Sequence, residues 1–419
     1  MTEDFPKVIK VRQKFASPLL ENIQDKINSE MAPFSDQVLH GQRIAVAVGS
    51  RGIRNLLVIV SAVVTKLKEW GAEPFIVPAM GSHGGATSDG QKEVLASFGI
   101  TEENLEVPII SNMDVLEIGH IREGIPVYID RETIAADGII LINRIKPHTD
   151  FRAPVESGLM KMLVVGLGKQ RGAELIHSHG VLGLQTLIPL MADVAINKLP
   201  ILFGLGILEN ARDETADIIA LDSNQMREKE PSLLIRASEL MPKLPIDFLD
   251  VLVVEKMGKN ISGTGIDTNI IGRMGIRNQA DLQTPKISRV VVLDLTEESH
   301  GNALGVGLAD IIPRRLQEKI DINKTYANVV TTSLLERGFI PLVMPTDRET
   351  ISIALKTVGR PVNPQDARFM IIRSTLDLEE IYISTNMVLE IKDMPGIEII
   401  GEPESLSFSE EGELMIKLN

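Results

Sequence analysis

The chain has 419 residues, and its 43 basic and 57 acidic residues give a formal net charge of −14. This length favours two domains over one. The negative charge argues against nonspecific binding to nucleic acid, which needs clustered positive charge to neutralise phosphates. Cysteine is absent, which excludes disulfides, iron–sulfur clusters, a thiolate nucleophile and zinc–thiolate sites. Any metal must therefore take its protein ligands from His, Asp or Glu.

The sequence contains no feature that predicts export or membrane insertion. The first residues, MTEDFPKVIKVRQKF, lack the apolar core of a signal peptide. No uninterrupted run of about 18 apolar residues occurs, so no membrane span is expected. We predict a cytoplasmic protein that binds neither membranes nor nucleic acid.

Short β-branched runs alternate with helical patterns, which is typical of an α/β fold with mainly parallel sheets. In chain order, the first part is predicted to contain a strand at 43–48, a helix at 56–71, a strand at 74–80, a helix started by Thr87, Ser88 or Asp89, a strand at 138–143, a helix near 184–198, a strand at 201–208 and a polar helix around 223–240.

The best candidate for a linker is PKLPID, residues 242–247, because its two prolines resist both helix and sheet. It predicts an N-terminal domain over 1–245 and a C-terminal α/β domain over 246–419. The second domain is expected to be a new α/β run that begins with FLDVLVVEKMG at 248–258, includes RVVVLDL at 289–295, and ends in strands and turns.

Two of the 7 histidines follow predicted strands: His83 in the loop GSHGG and His148 in IKPHTDF. In open parallel sheets, ligands bind beyond the carboxyl ends of the strands, so these two side chains are well placed to face one site. A single loop histidine is more often a structural residue, and only their joint placement favours a functional role.

The segment GLMKMLVVGLGKQRGAELIHSHG, residues 158–180, contains Lys161, Lys169, Arg171, His177 and His179. Lys161 and His177 would be about 24 Å apart on one continuous helix, too far to share a site. The glycines allow the helix to break and fold back, and a second helix could then offer its first-turn N–H groups, with Lys169 and Arg171, to an anion. A basic helix start with solvated side chains is the alternative. His177 and His179 would point to nearly opposite sides of a helix, so only one could bind a metal.

These residues resemble the nickel-pincer lactate racemases and their 2-hydroxyacid racemase or epimerase relatives. The resemblance rests on GSHGG around His83, IKPHTDF around His148, Lys161 after Ser157, and the region of His177. It covers about residues 40 to 210. The family's Asp-x-Thr-Arg run after the first strand is replaced here by VGSR, which keeps only Arg51, and we therefore expect a 2-hydroxyacid other than lactate.

The resemblance implies two α/β domains with the active site in the cleft between them. It implies a nickel-pincer nucleotide, a sulfur-bearing pyridinium mononucleotide with nickel, covalently bound to Lys161 through a thioamide. His177 would complete the nickel coordination, His83 and His148 would be the catalytic acid–base residues, and Arg51 would contact the substrate carboxylate. The implied partners are a small 2-hydroxyacid and the enzymes that synthesise and load the cofactor.

Elementary chemistry is consistent with such a racemase. Removing the C2 proton of a 2-hydroxyacid is difficult because the neighbouring carboxylate poorly stabilises a second negative charge. Moving a hydride instead gives a 2-keto acid, which can take the hydride back on either face. The hydroxyl proton must leave at the same time, and histidine titrates near neutral pH for that task.

Two other interpretations remain open at this stage. A metal-dependent hydrolase would use His83, His148 and His177 or His179 as ligands that activate water. A binding protein for a nucleotide or sugar acid would use GLGKQRG as an anion site without catalysis. In the C-terminal part, the loop at 258–273 is rich in glycine and polar residues, and Lys259 or Arg273 could supply a second carboxylate contact.

Overall fold

The structure is a computed structural model that describes residues 5–50, 52–122, 124–416 and 418. The chain forms two compact units. The N-terminal unit is Ser17–Met241, and the C-terminal unit combines the chain up to Ala16 with the chain from Pro242 onward.

The elements alternate along the chain as an α/β fold requires. The strands are β1 (Lys7–Gln13), β2 (Arg43–Val48), β3 (Glu73–Pro78), β4 (Val115–His120), β5 (Pro126–Asp130), β6 (Gly138–Arg144), β7 (Ile201–Glu209), β8 (Thr215–Leu221), β9 (Phe248–Met257), β10 (Lys286–Leu295), β11 (Ile311–Pro313), β12 (Leu342–Met344), β13 (Phe369–Ile372), β14 (Glu380–Ser384), β15 (Ile397–Ile399) and β16 (Glu404–Ser405). The helices are α1 (Ile23–Met31), α2 (Leu56–Glu69), α3 (Ser88–Ser97), α4 (Glu102–Leu105), α5 (Arg131–Ile134), α6 (Leu159–Lys161), α7 (Lys169–Ser178), α8 (Gly180–Lys198), α9 (Ser223–Leu240), α10 (Thr268–Ile271), α11 (Arg314–Glu318), α12 (Ile322–Thr332), α13 (Asp347–Lys356) and α14 (Val388–Ile391).

The N-terminal unit is built on a sheet with the strand order β3-β2-β6-β7-β8. Strands β3, β2, β6 and β7 are parallel, and β8 returns antiparallel to β7. Strand β2 lies inside the sheet, where Val46 pairs with Ile76 on one side and Ile140 on the other. Because helices cover both faces of such a sheet, its strands are continuous apolar runs rather than alternating ones, as the sequence RIAVAV predicted.

Helices α1 and α2 form the main core of this unit against one face of the sheet. Apolar residues of α2 recur at helical spacing and are fully buried, among them Ile59, Val63 and Leu67. Trp70, the sole tryptophan of the chain, is half-buried at the edge of this core. The helix thus buries one apolar face, which is the usual source of helix stability in a folded domain.

Helix α8 is long and apolar enough to cross a membrane by length and composition. Its buried residues recur along its length, from Val181 to Ile196, and 44% of its most apolar window is buried inside the unit. A core helix of a folded domain passes the same test, so this one helix is weak evidence for a span.

The C-terminal unit has a larger sheet in the order β12-β11-β10-β9-β13-β14-β1-β15, with β16 also paired to β1. Its strands from β12 to β13 are parallel, and β14, β1 and β15 pair antiparallel. The α/β prediction is confirmed, and the segments FLDVLVVEKM and RVVVLDL lie in the central strands β9 and β10.

The predicted domain limits differ from the structure at the start of the chain. Residues 1–245 were assigned to one domain, but β1 pairs Ile9 with Ile383 and Val11 with Ile399, deep in the C-terminal unit. Strand pairing across so many residues leaves no local signal in the sequence. The later limit agrees with the proline-containing linker, because the N-terminal unit ends at Met241.

Candidate active site

Three loops leave one edge of the N-terminal sheet. Strands β3, β2 and β6 are neighbours and parallel, so their carboxyl ends meet at the same edge. His83 follows β3 and His148 follows β6, as the sequence predicted. Arg51 follows β2, but it lies outside the described residues, and its substrate contact stays a prediction.

The segment that carries Lys161 and His177 runs along this same edge. A π-helical turn, Met162–Gly166, joins α6 to α7 and interrupts the helix where the glycines predicted a break. The N–H of Gly81, in the His83 loop, donates to the carbonyl of Gly166 at 3.0 Å. A Cβ at Gly166 would lie 2.6 Å from the carbonyl oxygen of Ala79. Only glycine permits this backbone approach, which packs the segment against the end of β3.

His83 is exposed, and its ring is oriented by its own loop. Its Nδ1 lies 2.8 Å from the carbonyl oxygen of Met80. Because a carbonyl only accepts hydrogen bonds, Nδ1 must carry the hydrogen. In the neutral imidazole, Nε2 therefore has the lone pair, which suits His83 to accept a proton.

His148 is held in the opposite tautomer. The backbone N–H of Asp150 donates to its Nδ1 at 3.1 Å, so in the neutral ring the hydrogen is on Nε2. The Asp150 carboxylate lies 3.8 Å from Nδ1 and faces a ring that is positively charged whenever it is protonated. The ring also packs on Phe151, with centroids 4.6 Å apart. In this neutral tautomer Nε2 can donate a hydrogen bond, and the ring can act as an acid only when Nδ1, which faces the Asp150 carboxylate, is protonated as well.

The loop around His148 is fixed by Glu156. The N–H of His148 donates to Glu156 Oε2 at 2.6 Å, and the N–H of Ala153 donates to Oε1 at 3.1 Å. Burial raises the pKa of Glu156, while the charge of Arg152 and these two hydrogen bonds oppose the shift. Arg152 also donates to the carbonyl of His148. The backbone on both sides of the imidazole is therefore constrained.

Lys161 ends the short helix α6, which is capped from a distant helix. Glu230 on α9 accepts the N–H groups of Leu159 and Met160 through Oε2, each at 3.1 Å. Its other oxygen is buried without a hydrogen-bond partner among the described residues, and burial raises the pKa of Glu230 to about 7. The Lys161 ammonium lies 5.5 Å from the centroid of Phe151, the ring that also contacts His148.

The charge of Lys161 acts on His177 although 16 residues separate them in the chain. Burial lowers the pKa of His177, the charge of Lys161 lowers it further, and the charge of Asp150 opposes both. The helix break therefore brings Lys161, His177 and the His148 loop into one electrostatic environment. A neutral imidazole at neutral pH keeps a lone pair for a metal.

His179 has a different role from its neighbour. It is exposed at the end of α7, where its Nδ1 lies 2.9 Å from the carbonyl oxygen of Leu175. This contact satisfies one of the carbonyls that a helix end leaves without a partner. The expectation that only one histidine of the pair faces the site agrees with this geometry.

The comparison with protein-family models gives a match over the N-terminal part of the chain. Residues 6–183 match the model described as the lactate racemase N-terminal domain. Residues 6–183 of the chain therefore belong to the lactate racemase N-terminal domain family. The matched residues include His83, His148, Lys161 and His177.

The fold agrees with this family. The chain is similar to the solved structure of the lactate racemase apoprotein from Thermoanaerobacterium thermosaccharolyticum, with a TM-score of 0.53 and 14% sequence identity over 88% of this chain and 94% of that chain. At this identity the similarity shows a shared fold. The comparison with curated proteins gave no match.

Within this lactate racemase fold, Lys169 is not where the sequence placed it. Its side chain is fully buried, and its Nζ donates to the carbonyl of Pro78 at 2.6 Å and to Gln91 Oε1 at 3.2 Å, with Asp130 Oδ2 at 3.4 Å. The ammonium is therefore not available to a phosphate, and its assignment as a cofactor contact is wrong. A glycine-rich basic segment suggested a solvated cation, whereas tertiary packing buries it.

The start of α7 also gives no support to the anion site. A Cβ at Gly172, in its first turns, would lie 3.1 Å from the carbonyl oxygen of Val164 and 3.9 Å from that of Tyr128, so carbonyl groups face this helix end. Arg171 is exposed and lies over the ring of Tyr128, 4.1 Å from its centroid. Its cofactor contact stays a prediction.

In the C-terminal unit, the two predicted substrate contacts have partners of their own. Arg273 donates to the carbonyl of Leu308 at 3.0 Å and to Asp310 at 2.9 Å, so it braces its own loop. Its contact with substrate stays a prediction. Lys259 donates to the carbonyl of Gly263 at 2.7 Å, inside the predicted loop, and its contact with substrate stays a prediction.

Sequence reasoning missed the residues that hold the site. Asp150, Glu156 and Gln91 orient or fix the two histidine loops, and Glu230 caps the Lys161 helix. Asp150 stands two residues after His148, and this spacing could have indicated it. The remaining three reach the site through tertiary contacts, which no local sequence pattern predicts.

Proposed function

We propose that this member of the lactate racemase family inverts C2 of a 2-hydroxyacid with a nickel-pincer nucleotide held by Lys161 and His177. The observation that supports the proposal is that Lys161 lies over the Phe151 ring that packs on His148. The effect of the Lys161 charge on the pKa of His177 agrees with it.

The side chains present fit a metal ion whose other ligands come from a cofactor and not from the protein. Among the described residues, no group of three or more His, Cys, Asp or Glu side chains is arranged to hold a metal ion. A hydrolase in which His83, His148 and His177 share one ion needs such a group, and the structure gives that interpretation no support. A single imidazole suits a nickel ion that already has sulfur and carbon ligands.

Members of this family typically use a nickel-pincer nucleotide. When bound, such a group would supply an electron-poor acceptor for the hydride of C2, so that the substrate could pass through a 2-keto acid that is open to hydride return on either face. Lys161 would anchor it covalently through its Nζ, and His177 would give its lone pair to the nickel.

The two acid–base histidines would handle the hydroxyl proton. The Nε2 of His83 accepts a proton in its neutral tautomer, and the Nε2 of His148 carries one. His83 is thereby prepared as a base, whereas His148 would donate a proton only in its imidazolium form, and the two roles would reverse with the direction of reaction. Asp150 compensates the charge of His148 when that ring is protonated.

The test is epimerisation without an added nicotinamide. Protein produced with nickel and with the cofactor-synthesis enzymes is incubated with a panel of single-enantiomer 2-hydroxyacids, including lactate, and chirality is followed by chiral chromatography. We expect inversion of at least one member, and a substrate other than lactate to be the best. If fully loaded protein leaves the whole broad panel unchanged, the proposed reaction is wrong.

A further inference from the structure

A buried polar network joins the helix of His177 to the loop of His83. Lys169 begins α7, the helix that carries His177, and its fully buried ammonium meets Asp130 at the end of β5 and Pro78 at the end of β3. It also donates to Gln91 Oε1 on α3 at 3.2 Å. The ends of β5 and β3 and the helix α3 therefore all contact the Lys169 ammonium.

Gln91 links Lys169 to the His83 loop by hydrogen bonds. Its side chain is fully buried, and its Nε2 donates to the carbonyl of Gly81 at 2.8 Å and to that of His83 at 3.4 Å. The loop also packs tightly on the start of α3, because a Cβ at Gly84 would lie 2.5 Å from the backbone carbon of Gly90. The backbone of His83 is therefore held by the amide that accepts from Lys169.

Both the backbone conformation and the burial of Lys169 are energetically unfavourable. Its φ of 51° is left-handed, a backbone conformation that is unfavourable for any residue other than glycine. Burial lowers the pKa of Lys169, against the charge of Asp130. Such pairs often stabilise a fold no better than apolar residues of similar size. Strain and desolvation at one residue are typical of positions that serve a functional site.

We propose that Lys169, Asp130 and Gln91 are positioning residues that fix the His83 imidazole relative to the His177 helix. Their side chains are fully buried, so they would act through the carbonyls of the His83 loop and not on substrate or cofactor directly. The catalytic meaning of this role rests on the proposed function, in which His83 is an acid–base residue. The geometric part, that the network sets the orientation and tautomer of His83, can be tested without any turnover.

The first measurement uses the protein without cofactor. Imidazole ¹⁵N NMR reports which ring nitrogen carries hydrogen, and a His83→Gln variant assigns the signal. The wild type should show hydrogen on Nδ1. In Lys169→Met, which removes the ammonium but retains most of the volume, we expect a mixture of tautomers. Gln91→Glu should do the same, because a carboxylate still accepts from Lys169 but cannot donate to the loop carbonyls.

The second measurement uses loaded protein and the substrate identified from the panel. Both variants should lower kcat roughly 10- to 100-fold with a much smaller change in KM, as expected when a catalytic group is misplaced. Leu67→Ala, in the fully buried face of α2, is the control for lost stability in the same unit, and it should alter neither the tautomer nor kcat.

The outcomes separate this proposal from the proposed function. A His83 tautomer that is unchanged in folded Lys169→Met and Gln91→Glu would overturn the positioning role, even in an active racemase. A tautomer that shifts in both variants supports it, even if no hydroxyacid is turned over. If Leu67→Ala shifts the tautomer equally, general loosening of the unit explains the effect and the proposal is overturned.

Discussion

Glu230 should make the N-terminal unit less stable as the pH rises toward neutrality. It is fully buried beneath the Lys161 helix, and burial raises its pKa from 4.5 to about 7. Between these two values the folded state retains a proton that the unfolded chain has released, so the free energy of unfolding falls with pH. The loss is complete above pH 7, where both states are ionised.

The size of the effect follows from the two pKa values. The interval from 4.5 to about 7 corresponds to a loss of about 3 kcal/mol of stability. Glu230→Gln mimics the protonated side chain, so this loss should be absent. The variant should gain about 3 kcal/mol relative to wild type between pH 4.5 and pH 8.

Urea unfolding of the apo-protein across this pH range is the assay, with fluorescence as the probe. Trp70 is the sole tryptophan and packs on the core of the N-terminal unit, so its emission reports that unit. Glu228→Gln is the matched control, because it makes the same change at an exposed position of α9. Equal pH dependence in wild type and Glu230→Gln would refute the reasoning, since a solvated or ion-paired carboxylate would then be present.

The other predictions concern the reaction and the metal in loaded protein. His83→Ala and His148→Ala should each lower turnover in the chiral assay by about 100-fold or more, and metal analysis should show that nickel is retained. Loss of nickel in either variant would mean that the replaced histidine is a metal ligand. His177→Ala should lose nickel on dialysis, whereas His179→Ala should retain it because that ring bonds the last turn of its own helix; the reverse result would exchange the two assignments.

The sequence predicted the parts of the site that depend on sheet topology. Parallel strands bring their carboxyl ends to one edge, so apolar runs followed by His83 and by His148 were sufficient to place both residues there. The break between Lys161 and His177 was predicted from glycines, and the structure has it as a π-helical turn.

The parts that were not predicted depend on long-range contacts. Strand β1 could not be assigned to the C-terminal unit because its partners lie more than 360 residues away in the chain. Lys169 was interpreted as a solvated cation, because the sequence around it does not predict its buried partners Asp130 and Gln91. Glu230 stands inside a polar helix whose composition indicates an exposed face, and only the packing of α9 against α6 shows its role.

The most direct test of the central claim is the mass of one peptide from active, loaded protein. Cleavage after glutamate should release Ser157–Glu174, which contains both Lys161 and Lys169. We predict a mass increase from a covalent nucleotide that fragmentation places on Lys161, with Lys169 unmodified, and the increase should be lost together with nickel in Lys161→Ala. An unmodified Lys161 in protein that contains nickel and epimerises its substrate would contradict the account.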